Sequence, residues 1–239
     1  MGDPVQSLLD PFLADTDRVL GDRYSAVLYG SAARGEFVQG RSDINVLMVL
    51  DDVAPASLRS LAPSFGAWRK AAQEPPLLLS RSEWLGVADA FPIEISDMRS
   101  AYRVLRGSDP LGLVAVERAD LRRALEREFR GKLLRLRQGY VTLSNDPASL
   151  SGVAAESVGT MLVLYRGLLT LVGREVPRDA AALVTAAASL AGFAPDALAR
   201  VVAGRGDRGW RCTAAEFEAY LNAVAQTAEF VDHLQLGDQ

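Results

Sequence analysis

Seven consecutive residues, Ile44-Asn45-Val46-Leu47-Met48-Val49-Leu50, constrain this chain more than any other segment. The run is almost wholly apolar, and Asp51-Asp52 close it, which is the signature of a β-strand. A second strand candidate spans 24–29 (Tyr-Ser-Ala-Val-Leu-Tyr) and ends in Gly30-Ser31. A short loop then leads to Ser42-Asp43 at the head of the first strand. The chain therefore carries a strand, a glycine turn, a loop and a strand opened by an acid, in that order.

Around this pair, residues 5–20 read as a helix, with Leu8, Leu9, Phe12, Leu13 and Leu20 near helical spacing and Gly21-Asp22 ending it. Residues 56–72 read as a second helix, with Leu58, Leu61, Phe65 and Trp68 on one face and Pro75-Pro76 breaking it. Leu77-Leu78-Leu79 is a short buried strand, and 82–88 a brief helix capped by Ser82. Phe91 to Met98 is the last strand candidate, and its Pro92 fits an edge or first position in a sheet. Character changes at Gly107-Ser108-Asp109-Pro110. Beyond it, 118–143, 154–172, 180–190, 195–202 and 214–234 all read as helices with short breaks, which implies an antiparallel bundle. The expectation is an α+β chain: residues 1–107 form a mixed sheet flanked by helices, and 108–239 form an all-α helical bundle. Gly204 to Gly209 is expected to be a mobile charged loop.

Composition excludes several function classes. A net charge of -4 argues against broad nucleic-acid binding. The single Cys212 and single His233 exclude an intrachain disulfide and make a Cys/His zinc site untenable; Cys212 reads as a packing residue and His233 as a helix-end surface residue. The first residues lack a basic segment followed by an apolar core, and the apolar run 158–172 is interrupted by Arg166 and short for a bilayer, so the expected setting is cytoplasmic, without a membrane. The cations Arg122, Arg123, Arg127, Arg130, Lys132, Arg135 and Arg137 alternate with acids and read as a solvated helix face; a phosphate contact from Arg130, Lys132 or Arg135 is the minority reading.

Chemistry concentrates at the strand pair. Gly30 lets the backbone turn sharply and lets a phosphate approach. The N–H groups beyond it and the Ser31 hydroxyl would face an anion, with Arg34 and Arg41 adding charge-assisted contacts. Strand residues two apart share a face, so Asp43 and Asn45 point one way while Ile44, Val46 and Met48 point into the core. If the 91–98 strand lies beside 44–50, Glu94 approaches Asp43, and Asp97 falls on the apolar face as a lesser candidate.

Gly30-Ser31, Ser42-Asp43 and Glu94 together resemble the DNA polymerase β-like nucleotidyltransferases, particularly the compact bacterial ones related to aminoglycoside nucleotidyltransferases. Their pattern is a Gly-Ser turn, a loop, a strand opening Ser-Asp-x-Asp (or Glu), and a third acid on a later strand. The resemblance covers about the first half of the chain and implies a helical domain after it that completes a substrate cleft. It implies Gly30, Ser31, Arg34 and Ser42 as nucleotide-binding residues. It also implies Asp43, Asn45 and Glu94 as catalytic and metal-ligating residues, with two Mg2+ ions and a nucleoside triphosphate as substrate. One ion would activate an acceptor hydroxyl, the other would stabilise the leaving pyrophosphate, and Glu94 would ligate metal or take the hydroxyl proton.

Asn45 departs from that pattern, because an amide oxygen ligates magnesium without bringing negative charge. Altering the outer partners of metal ligands alone costs roughly 10–100-fold, so loss of a ligating carboxylate should cost at least that. Two functions follow. One is transfer of a nucleoside monophosphate to a hydroxyl acceptor, a small molecule ahead of protein or RNA, weakened by Asn45. The other is a catalytically degenerate module of the same fold that binds nucleotide or a partner for regulation.

Overall fold

The computed structural model describes residues 3–39, 42–71, 73–205, 207 and 209–236. The chain divides into two compact units, Met1–Val116 and Glu117–Gln239. The first is a mixed four-stranded sheet flanked by helices; the second is helical throughout its regular structure.

Unit 1 opens with α1 (Pro4–Leu20), started by Asp3, whose carboxylate accepts from the Val5 N–H. Then come β1 (Tyr24–Tyr29), the single-turn α2 (Ser31–Arg34), β2 (Asn45–Leu50), α3 (Pro55–Leu61) and α4 (Gly66–Lys70). β3 (Leu77–Ser80), α5 (Arg81–Leu85), α6 (Pro92–Ser100) and β4 (Tyr102–Arg106) follow. The sheet order is β3-β2-β1-β4; β1 runs antiparallel to both neighbours and β2 parallel to β3.

Both faces of the sheet are covered, which explains why β1 and β2 read as continuous apolar runs. On one face Ala26, Leu28, Val46, Met48 and Leu50 meet α1, Leu61 and Trp68. Phe12 is fully buried there, with its ring 5.2 Å from that of Phe65 and 4.8 Å from that of Trp68. Burying one such ring contributes about 1.5–3 kcal/mol. On the other face Val27, Leu47 and Val49 pack against Trp84, Val87, Ile95, Met98, Leu111 and Val114.

Three expectations are corrected. Residues 91–98 are no strand: Phe91 precedes α6 and 92–98 lie in it, with Pro92 in the first turn, where a missing N–H costs nothing. The fourth strand is instead Tyr102–Arg106, and it pairs with β1, not β2. The helix expected over 56–72 is broken by a 3-10 turn, Ala62–Phe65, that begins with Pro63 in its first turn. The cap of the short helix after β3 is Ser80, in a reciprocal pair with Glu83, rather than Ser82.

Unit 2 comprises α7 (Arg118–Leu143), α8 (Pro147–Leu171), α9 (Ala180–Ala191), α10 (Asp196–Gly204) and α11 (Ala214–His233). α8 is long and apolar enough to cross a membrane by length and composition, unlike the shorter run read from sequence. Here it is the core helix of the unit, packed by α7, α9, α10 and α11, with Tyr165 fully buried and Arg166 nearly so. Cys212 is buried, its N–H donating to Ser151, in keeping with a packing role. The basic stripe of α7 is largely spoken for. Arg122 donates to the Asp232 and Leu234 carbonyls at the end of α11, Arg130 pairs with Asp232 at 2.6 Å, and Arg123 pairs with Asp120. In the Gly204–Gly209 loop, residues 206 and 208 lie outside the described residues.

Candidate functional site

The turn after β1 is built by Gly30, whose φ of 76° and ψ of -149° suit a residue without a side chain. A Cβ there would also lie 3.0 Å from Asn45 Nδ2. Asn45 sits opposite Tyr29 in the β1–β2 register, so its amide packs against the turn. The Gly30 carbonyl then accepts from the Arg34 N–H at 3.0 Å, and Gly35, in the left-handed region, ends the single turn of α2.

Arg34 is the unusual member. Its side chain keeps 8 % exposure although its backbone is more open, and its Nε pairs with Glu36 at 3.0 Å. Its Nη1 is buried and has no hydrogen-bond partner among the described residues. Guanidinium N–H groups buried without acceptors carry a desolvation cost. An oxyanion supplied from outside, beside a turn that a Cβ would crowd, removes that cost. Arg41 lies outside the described residues. Ser42 is committed to the loop: its hydroxyl accepts from the Val38 N–H at 3.1 Å and its own N–H donates to the Val38 carbonyl.

Asp43 is exposed just before β2, and Asn45 is half-buried. The core-facing assignment of Ile44, Val46 and Met48 agrees with the structure. Beyond Asn45 the opposite face is a second core, formed by Leu47 and Val49.

Glu94 was expected on a strand beside β2. It lies instead in the first turn of α6, exposed, three residues from the half-buried Asp97. Residues three apart share a helix face. Burial, then the negative charge of Asp97, then that of Glu94 push the Tyr29 hydroxyl up to about 12. Both carboxylates thus act on the phenol at the strand end that carries the glycine turn, Asp97 more strongly than Glu94. Tyr29 was overlooked because it reads as one more strand aromatic. The signal that could have found the pair was the Glu94-x-x-Asp97 spacing behind Pro92, a helix start misread through the alternation of Ile93 and Ile95.

No group of three or more His, Cys, Asp or Glu side chains placed to hold a metal exists among the described residues. Two bridged magnesium ions call for several carboxylates, and Asn45 leaves Asp43 as the acid heading β2. The residues present do not fit a resident two-ion centre. Tyr165 and Arg166 are interior to unit 2. Trp210 is half-buried and covers Gly204, where a Cβ would fall well inside contact distance of its ring.

Neither a protein-family model nor a curated protein matches this chain by sequence. Among solved structures it is similar to the spectinomycin adenyltransferase AAD(9) of Enterococcus faecialis, determined with ATP and spectinomycin. The likeness spans 95 % of this chain and 98 % of that one at a TM-score of 0.58 and 12 % identity. At that identity the likeness is one of fold: a mixed sheet flanked by helices, followed by further helices.

Proposed function

We propose that this chain is a nucleotidyltransferase that moves a nucleoside monophosphate from a nucleoside triphosphate to a hydroxyl of a small-molecule acceptor. The observation that carries the reading is the buried, unpartnered Nη1 of Arg34 beside the Gly30 turn. A triphosphate oxygen there accepts from the guanidinium, and the absence of a Cβ on Gly30 leaves room for it. The triphosphate brings magnesium with it as part of the substrate. The acceptor oxygen attacks the α-phosphorus, the bond to the β-phosphate oxygen breaks, and pyrophosphate leaves. The hydroxyl proton passes to a carboxylate, for which Glu94, exposed on α6, is the candidate. That the structurally similar AAD(9) was determined with ATP and spectinomycin supports a nucleotide and a small-molecule acceptor.

A second reading is favoured by Asn45 and by the lack of a three-acid group among the described residues. In it the same turn binds triphosphate without turnover and serves regulation. Pyrophosphate release and thermal shift, measured on wild type, Asp43→Ala, Asn45→Asp and Arg34→Met, separate the two. Transferase activity predicts triphosphate-dependent adducts, abolished by Asp43→Ala. Stabilisation by triphosphate with no release across a broad acceptor panel supports the binding module. Triphosphate stabilisation that survives Arg34→Met intact overturns both.

A further inference from the structure

In unit 2, α7 and α8 bound a half-open cavity of about 350 Å3 lined by Lys132, Arg135, Leu136, Val153, Glu156 and Ser157. We infer that this cavity is a second binding site, for a phosphate group carried by a small molecule. The inference is independent of the nucleotidyltransferase reading.

The helices diverge around the cavity and close beside it. At Gly139 they meet so tightly that a Cβ would lie 3.2 Å from Val153 Cγ1. Next to that closure, Leu136 and Val153 form an apolar wall. The polar wall is cationic, and its charges lack the partners their neighbours have. Arg118, Arg122, Arg123, Arg127 and Arg130 each donate to a carbonyl or pair with a carboxylate. Lys132 and Arg135 form no ion pair among the described residues. They repel each other: burial first, then the charge of Arg135, holds the Lys132 ammonium below its ordinary value, against a smaller pull from Glu128. Two like charges held together at the lip of a cavity, Lys132 half-buried and Arg135 exposed, are unfavourable alone and favourable around an anion.

The remaining polar groups sharpen the ligand class. Ser157 donates to the Ala154 carbonyl at 2.8 Å, and its oxygen lies 2.7 Å from the Tyr220 hydroxyl, so its hydrogen bonds are made within the fold. Glu156 is exposed and reduces the charge of the lining to one net positive, enough for one phosphate group and not for a polyanion track. An arginine fork with a lysine beside it is a phosphate-recognising combination. The apolar wall would carry the body of the molecule, and the volume lies within the range of small-molecule pockets, roughly 300–1,000 Å3. A nucleic-acid strand would instead draw on Arg123, Arg127 and Arg130 along α7, which pair with carboxylates.

The test is calorimetric titration of the full chain with inorganic pyrophosphate in the presence of chelator, with amide NMR shifts locating the site. Wild type, the double variant Lys132→Met/Arg135→Met, and Arg34→Met are compared. All three are checked for unchanged helicity and melting. The expected result is saturable binding that shifts amides of 132, 135, 153 and 157. The double variant should lose it by about tenfold or more, since both charged donors are removed, and Arg34→Met should retain it at those amides. Pyrophosphate that shifts only the 30–35 amides, equal binding by the double variant, or shifts reproduced by sodium chloride at equal ionic strength overturns the inference. Tight, length-dependent binding of an RNA oligonucleotide at the same amides overturns it in favour of a polyanion surface. Loss of this site with retained triphosphate binding at Arg34 would leave the first proposal untouched.

Discussion

Replacing Gly30 by alanine tests how the turn is held. Gly30 adopts φ 76° and ψ -149°, a region that side chains other than glycine's enter at about 1–3 kcal/mol. A second cost adds to this, because the new methyl would sit 3.0 Å from Asn45 Nδ2, so the amide must give by a few tenths of an ångström. The sum should lower the folded-to-unfolded ratio of unit 1 at least about fivefold. Urea unfolding followed by tryptophan fluorescence reads it, because Trp68 and Trp84 are buried on the two faces of the sheet. A double-mutant cycle with Asn45→Ala separates the terms: the backbone cost persists and the steric cost vanishes. Gly30→Ala with wild-type stability would refute the conformational argument. A coupling of zero with Asn45→Ala would refute the packing of that amide on the turn.

Gly204→Ala drives a methyl into the Trp210 ring, and overpacking of that kind costs about 1–3 kcal/mol; red-shifted tryptophan emission and a lower unfolding midpoint of unit 2 check it. Tyr29 has an ordinary value of 10.0 and a folded value of about 12. The unfolded chain therefore releases this proton first, and the stability it contributes below pH 10 is lost as pH rises through about 12. Tyr29→Phe should flatten that part of the stability profile. Asp97→Asn should bring the phenolate transition down further than Glu94→Gln, and equal or reversed effects, read by phenolate absorbance, would contradict the placement of the two acids.

The sheet's centre was legible because β1 and β2 are buried on both faces, and burial on both faces writes itself as an unbroken apolar run. The glycine turn was legible because few residues tolerate its backbone. The edge was not: Tyr102-Arg103-Val104 are exposed, and an exposed edge strand carries little hydrophobic pattern. α6 was misread because it buries Ile93 and Ile95 on different sides, which leaves a period of two in the sequence, and only Pro92 at the first turn argued for helix. Asp97 was ranked behind Glu94 for that reason. Once the segment is a helix, the two acids share a side, and the one deeper along α6 stands where it acts more strongly on Tyr29. The unpartnered Nη1 of Arg34 could not be read from sequence at all, since it depends on which groups fold around it.

The sheet order carries a consequence for how the protein is made. β1 pairs with β2 across a short loop, but its other edge waits for Tyr102–Arg106, and β2 waits for β3. Contacts so distant along the chain close slowly, whereas helices packed on their sequence neighbours close fast. Unit 2 has such neighbour pairs, α7 with α8 and α8 with α9, but it too closes on a distant pair, because α7 packs along α11 at the other end of the unit. During synthesis the sheet of unit 1 therefore waits on its last strand. Until residue 106 is available, β1 has a bare edge lined by apolar side chains, and that interval is when the nascent chain is most open to pairing with the wrong strand.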